Sequence, residues 1–243
     1  WSSDVCSSDL KNVIENLTTA MYENAYTVYR EYIQNSADSI DKAIAAGIVN
    51  EKDAIIDINI EYNKRRITIN DNAMGIPSEM FVKKLTDIAD SQKDRTKEKG
   101  FRGIGRLAGV GYCDTLIFKS SYKGENVESV IEWDGKKLRD VLADTTQHPS
   151  ASDFVDDITY SYQNEANMDE HYFEVIMEGV IPESDDLLDK VAVIEYLESV
   201  APIPFATFFI YKSKIYEFCR NNNLKIDEYT IQEIGRASCR ERV

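Results

Sequence analysis

The sequence is short of most residues that mark a stapled or metal-built scaffold: 4 cysteines, 2 histidines, 2 tryptophans and 5 prolines in 243 residues. Two of the cysteines, Cys6 and Cys239, lie in terminal segments treated below. The other two, Cys113 and Cys219, are far apart and lack metal-ligand spacing. A disulfide framework and a zinc site are therefore not indicated, and the pair reads as two small buried hydrophobes in a reducing cytoplasm. Positive charge is also scarce. With 28 Lys+Arg against 43 Asp+Glu the net charge is −15, a field that repels nucleic acid and anionic membrane as default partners. Long apolar runs are missing too, since the longest, Pro202 to Tyr211, is about half of the roughly 20 residues a membrane-spanning helix needs. What remains is 43% hydrophobic and 29% charged residues, enough for the core of one large domain or two small ones.

Both ends read as foreign to the rest. The N-terminal WSSDVCSSDL and the C-terminal IGRASCRERV each resemble a sequencing adapter translated in one frame, so residues 1–10 and 234–243 are set aside from the fold. The native sequence is expected to continue past residue 233.

Between these ends the patterning changes several times. From Lys11 to Ala46 apolar residues recur at helical spacing (Tyr22, Tyr26, Tyr29, Ile33, Ala37, Ile40, Ile44), with Gly47 as the stop. Ala54 to Tyr62 and Arg66 to Asn70 read as a hairpin around Asn63-Lys64-Arg65, with Asp71 just past the strand end. A helix is predicted from Ser78, as N-cap, to Asp90. Ser91 to Lys99 is polar and without period, a mobile loop. Strands are predicted at Thr115–Tyr122, Glu125–Trp133 and Tyr172–Met177, and a helix at Asp185–Val200 before the break Ala201-Pro202-Ile203-Pro204. Leu138 to Glu170 is acidic and weakly patterned, and no structure is assigned to it. The order predicts an α+β two-layer sandwich, helices on one face of a mostly antiparallel sheet.

Three constellations could carry chemistry. Glu31, Asn35 and Asp38 are spaced i, i+4, i+7, so a helix presents them on one face. Asp71-Asn72-Ala73-Met74-Gly75-Ile76-Pro77 follows a strand, a place where a carboxylate can meet a flat ligand while glycine lets the backbone pass close. Five of the 11 glycines fall in GFRGIGRLAGVG, from Gly100 to Gly111, and Gly100-Phe101-Arg102-Gly103-Ile104-Gly105 is expected to open a helix whose N–H groups and dipole favour anionic oxygens. The lysine and hydroxyl of a Walker loop are absent, and no βαβ unit frames a Rossmann fingerprint.

In this order and spacing the three resemble the GHKL superfamily of ATP-binding domains, which includes heat-shock chaperones, MutL-type repair ATPases, MORC proteins, gyrase-type topoisomerase subunits and sensor histidine kinases. Glu31 to Asp38 matches the N-box, Asp71 to Gly75 the first glycine box and Gly100 to Gly105 the second. Arg30 to Lys42 and Leu85 to Ser91 are most similar to the heat-shock-90-like branch, and GFRG resembles MutL and MORC equally. The likeness covers Val13 to Ser120 well.

The resemblance implies a Bergerat-type fold and an Mg²⁺-dependent ATP site. In it Glu31 would be the general base, Asn35 the Mg²⁺ ligand and Asp38 a support. Asp71 would accept the adenine amino group, with Met74, Gly75 and Ile76 beside the base. The backbone N–H groups of Gly103, Ile104 and Gly105 would hold the phosphates, with Arg102 and Lys93 countering their charge, Gly100 and Phe101 would belong to the same ATP site, and Ser91–Lys99 would be the lid. It further implies an ATP-binding domain over 11–200, the start of a transducer-like domain over 201–233, a cytoplasmic location, ATP and ADP as ligands, dimerisation through absent C-terminal domains and an unidentified client. An ATP-binding regulatory module and a kinase-type phosphotransferase are the alternatives. The latter needs a phospho-accepting histidine on an upstream helix, whereas His148 and His171 lie elsewhere and are expected at the surface. Two departures from the family stand out: Ala73 replaces the first glycine of the usual DxGxG, and no Gly-Thr pair precedes Tyr172–Met177.

Overall fold

Strict alternation builds the centre of the sheet. In β1 (Ile55–Glu61) Ile56, Ile58 and Ile60 are buried, and in β2 (Arg66–Asp71) Ile67, Ile69 and Asp71 are. The period of two sends all six to one face. Asp71, the last residue of β2 rather than the first beyond it, is thereby carried into the core by the register of its own strand. The computed structural model describes residues 24–86, 105–143, 151–233 and 236–239.

The other strands are β3 (Cys113–Ser121), β4 (Val127–Asp134), β5 (Thr159–Glu165), β6 (Tyr172–Val180), β7 (Thr230–Glu233) and β8 (Arg236–Cys239). They form one sheet in the order β5-β4-β3-β6-β2-β1-β7-β8. Every pairing is antiparallel except β1 with β7, which is parallel. The chain beyond residue 200 therefore returns to this sheet, and β8, from the segment read as foreign, pairs with β7. The predicted α+β sandwich with a mostly antiparallel sheet is the fold observed.

Helix α1 (Thr27–Ala45) covers the inner face. Its buried residues Val28, Tyr29, Tyr32, Ile33, Ser36, Ala37, Ile40 and Ala43 follow the helical period, and full burial of each large apolar chain stabilises by about 1.5–3 kcal/mol. Tyr29 also donates its hydroxyl to the Leu187 carbonyl at 2.6 Å. At the C-terminus the Gly47 and Ile48 N–H groups bond to Ile44 O and Ala43 O at 3.0 and 2.9 Å, the paired bonds of a Schellman stop. The part of the predicted helix before residue 24 lies outside the described residues.

Four expectations change. The β1–β2 turn is a short 3-10 helix, Tyr62–Lys64, closed by Arg65 at φ +51°, whose guanidinium is engaged by Val180 O and Asp185, each at 2.5 Å. The segment after the glycine loop, Gly105–Tyr112, is a 3-10 helix running straight into β3. Gly109 there lies so close to Tyr32 that an added Cβ would stand 2.5 Å from its hydroxyl. The predicted helix 185–200 is broken: a 3-10 turn, Pro182–Leu188, precedes α5 (Lys190–Val200). Asp189 caps α5 by accepting from the Val191 and Ala192 N–H groups at 2.9 and 3.3 Å. The weakly patterned stretch 138–170 holds most of α3 (Gly135–Ala143) together with α4 (Ala151–Ile158) and β5. The described residues also include the helices α2 (Ser78–Thr86) and α6 (Lys212–Asn221). Among the described residues no helix is long and apolar enough to cross a membrane.

Candidate functional site

Three strand ends meet at one end of the sheet. Asp71 at the end of β2 pairs with Phe173 near the start of β6, which pairs in turn with Ser120 near the end of β3. The first glycine box leaves the sheet here and is fastened on several sides. Asn72 accepts from the Ile55 N–H at 2.9 Å and donates to Asp53 O at 2.8 Å. The Ile76 N–H bonds to Ser120 Oγ at 2.7 Å, and Met74 O accepts from the Lys123 N–H at 3.4 Å. Met74 and Ile76 are both half-buried.

Gly75 is fixed by the protein's own backbone. It has φ +74°, and a Cβ would fall 2.1 Å from Ser121 O. The close approach that the sequence pattern assigned to a flat ligand is made on this side with β3. Gly75→Ala is expected to cost about 3 kcal/mol, combining the left-handed penalty with overpacking against backbone that cannot turn aside. A urea midpoint unchanged by this substitution would show that the turn can relax.

Asp71 is the one acidic side chain buried among the described residues, at 1% exposure. Burial pushes its carboxyl up to about 7, opposed by a hydrogen bond from Ser36 and by the Ala73 N–H at 3.1 Å. Ser36 belongs to α1, so the N-box and the first glycine box meet at this carboxylate.

The second meeting is between α1 and Gly105, the last residue of the second glycine box. Glu31 is about one-quarter exposed and pairs with Arg30 at 3.0 Å. A Cβ on Gly105 would lie 2.3 Å from Glu31 Oε2. The start of the 3-10 helix is thus pressed against the glutamate, and Tyr32 ties the same layers by accepting the Gly109 N–H at 3.0 Å in the core. Burial pushes the Tyr32 phenol well above its ordinary range. Tyr32 stands outside the apolar stripe read in the sequence, and nothing in the spacing singles it out.

Asn35 is exposed one turn beyond Glu31. Its amide oxygen is a hard donor suited to an ion such as Mg²⁺ whose other ligands are phosphate and water. Asp38 is half-buried and accepts from Gln34 at 3.1 Å. Its charge helps to raise the Tyr229 phenol, chiefly lifted by burial and by a hydrogen bond to Asp41. Lys93, Gly100, Phe101, Arg102, Gly103, Ile104 and the expected lid at 91–99 lie outside the described residues, as does His148.

His171 corrects an expectation. It stands just before β6, where a Gly-Thr pair was looked for, and is half-buried rather than a surface residue. Its Nδ1 lies 2.7 Å from Ala73 O and 3.1 Å from Asn72 O. No motif flagged it.

A mostly antiparallel sheet with helices on one face, a buried carboxylate at a strand end and a glutamate against Gly105 fit an ATPase domain. The family model described as "Histidine kinase-, DNA gyrase B-, and HSP90-like ATPase" matches residues 5–163, and the chain belongs to that family. It is similar to the protein named "Chaperone protein HtpG" of Legionella pneumophila (strain Lens), 30% identical over 148 residues, covering 53% of this chain and 24% of that protein. The protein of the same name from Coxiella burnetii (strain RSA 331 / Henzerling II) is 27% identical over 145 residues, covering 52% and 23%. That from Aliivibrio salmonicida (strain LFI1238) is 23% identical over 167 residues, covering 61% and 26%. The matched region spans about a quarter of these relatives.

Proposed function

We propose that this chain carries the nucleotide site of an Mg²⁺-dependent ATP hydrolase of the heat-shock-90-like branch, acting in the cytoplasm, with lid closure coupled to conformational change. The observation that carries the reading is Asp71: a carboxylate withdrawn from water, held by one N-box and one glycine-box hydrogen bond, where the adenine amino group can donate to it. A buried carboxylate without such a donor is costly, and a charge-assisted hydrogen bond of about 1.5–3 kcal/mol offsets part of that cost.

In the hydrolytic step a water oxygen forms a bond to the γ-phosphorus, the bond to the ADP oxygen breaks, and Glu31 takes the water's proton. Glu31 is open enough to reach water and walled on one side by Gly105. Mg²⁺, held by Asn35 and the phosphates, would neutralise charge that a protein of net charge −15 repels. Asp38 supports the site from the next turn, and Lys93, Arg102 and the glycine loop hold the phosphates. Residues 11–200 form the ATP-binding domain on this reading. The proposed transducer-like start at 201–233 carries the exposed Phe208, Ile210, Tyr211 and Phe218 and stays joined to the sheet of the ATP-binding domain through β7. Dimerisation and a client protein are further expectations of the same reading. The phosphotransferase alternative has no support from His171, which precedes a strand and is engaged by two carbonyls.

Calorimetric titration of Mg-ATP into the full chain tests the site. Saturable binding with a Kd below about 1 mM, or roughly −4 kcal/mol, is the expected result. Absence of binding by a cooperatively folded protein overturns the proposal.

A further inference from the structure

We infer that His171 is a positioning residue for adenine recognition, holding the turn that aims Asp71 through a hydrogen bond shared between two backbone carbonyls. The inference rests on the reading that Asp71 receives the base.

The geometry concerns Asp71-Asn72-Ala73. The Ala73 N–H folds back onto Asp71 Oδ1 at 3.1 Å, so the direction of the carboxylate depends on the orientation of the peptide planes on either side of residue 73. Nδ1 of His171 lies within 2.7 Å of Ala73 O and 3.1 Å of Asn72 O, the oxygens of two consecutive peptides. Carbonyls only accept, so Nδ1 carries the proton and the ring is fixed in that tautomer whenever it is neutral. One donor thereby restrains both peptides at once. Ala73 is fully buried and cannot swing outward to find water if the donor is removed.

The histidine is itself placed by its neighbours on both sides. Ser121 donates to Glu170 O at 3.2 Å, and Ser120, which also receives the Ile76 N–H, donates to Tyr172 O at 3.2 Å. The entry to β6 and the far side of the glycine box are thus stitched to the same two serines. A shift of His171 would be passed to the box at Asn72 and Ala73, while Gly75 and Ile76 stayed anchored on β3. The expected defect is accordingly local: a misaimed carboxylate beside an intact fold. Because Glu31 and Gly105 take no part in these bonds, base recognition should suffer and the chemical step should not.

The test compares the full chain with His171→Ala and His171→Asn, the latter keeping a short N–H donor. For His171→Ala we expect Mg-ATP affinity to fall tenfold or more, the preference for ATP over GTP to shrink, and KM to rise while kcat at saturation stays within twofold. His171→Asn is expected to recover affinity to within about threefold. In the parent, nitrogen chemical shifts of the imidazole are expected to report the Nδ1–H tautomer. If the parent binds ATP and cooperatively melting His171→Ala binds it within twofold as well, the inference is overturned and the ATP site stands. An equal loss of ATP and GTP affinity, or a neutral ring protonated at Nε2, overturns it too. A parent that binds no ATP removes the reading beneath it.

Discussion

Asp71→Asn is expected to weaken Mg-ATP binding at least tenfold and, in the same protein without ligand, to raise the melting temperature at pH 8. Both effects have one cause. The carboxyl is buried and pushed up to about 7, above the value of about 3.9 it has in an unfolded chain. The folded state therefore binds a proton that the unfolded state has lost. The stabilisation this gives is fully present below about pH 4 and is lost as pH rises through about 7, with a ceiling on the order of 4 kcal/mol. Asparagine imitates the neutral acid and removes that slope, so the stabilities of parent and variant should converge near pH 4–5 and separate by pH 8. Binding runs the other way. The adenine amino group donates best to the ionised carboxylate, and the variant keeps only a neutral acceptor, a difference of about 1 kcal/mol or more. Parent affinity should then fall from pH 8 to pH 6 with proton release on binding, seen as a calorimetric heat that depends on the buffer. Parallel stability curves for the two proteins between pH 5 and 8 would show that Asp71 is charged throughout and that burial has been compensated.

Burial also explains which parts of this molecule were legible in its sequence. Central elements were, because their periodicity reflects burial on one side: the alternation of β1 and β2 and the stripe of α1 each follow from facing one core. β5 was not, since this edge strand, TYSYQNE, keeps mostly exposed or half-exposed polar side chains and so carries no apolar alternation to read. The helix break at Asp189 was missed for a different reason. Leu187, Leu188, Val193 and Leu197 are all buried, so the apolar pattern runs on across a cap that only the local N–H bonds reveal. At the site, Asp71 and Glu31 were singled out by spacing and resemblance. The contacts that fix them were not. Tyr32, Ser120 and His171 act through bonds between residues 77, 44 and 98 or 99 positions apart, and no local pattern encodes a partner at that distance. Gly75 shows the same divide: its presence was evident, but not that a Cβ there would run into the backbone of β3.

Gly105→Ala and Glu31→Ala form the second large prediction, because the two residues share one small volume. With Glu31 as the proposed proton acceptor, its replacement should lower ATP turnover by about 10²–10⁴-fold with nucleotide affinity kept within threefold. A variant that hydrolyses ATP as fast as the parent would show that the base has been wrongly assigned. Gly105→Ala leaves Glu31 in the chain but places a methyl group 2.3 Å from Oε2 and 3.1 Å from the carboxyl carbon. The obstacle is the far end of a flexible side chain, so the carboxylate can swing away at a cost of roughly 1 kcal/mol or less. The melting temperature should therefore change little while turnover falls by tenfold or more, since a displaced base no longer lies within hydrogen-bond reach of the attacking water. Gly75→Ala is its counterpart, meeting rigid backbone and losing stability instead. The double variant Gly105→Ala/Glu31→Ala decides whether the loss runs through the glutamate. If it does, the double variant is no slower than Glu31→Ala alone. Losses that multiply would mean that Gly105 acts on the nucleotide directly, through its own backbone, and that its contact with Glu31 is incidental to the chemistry.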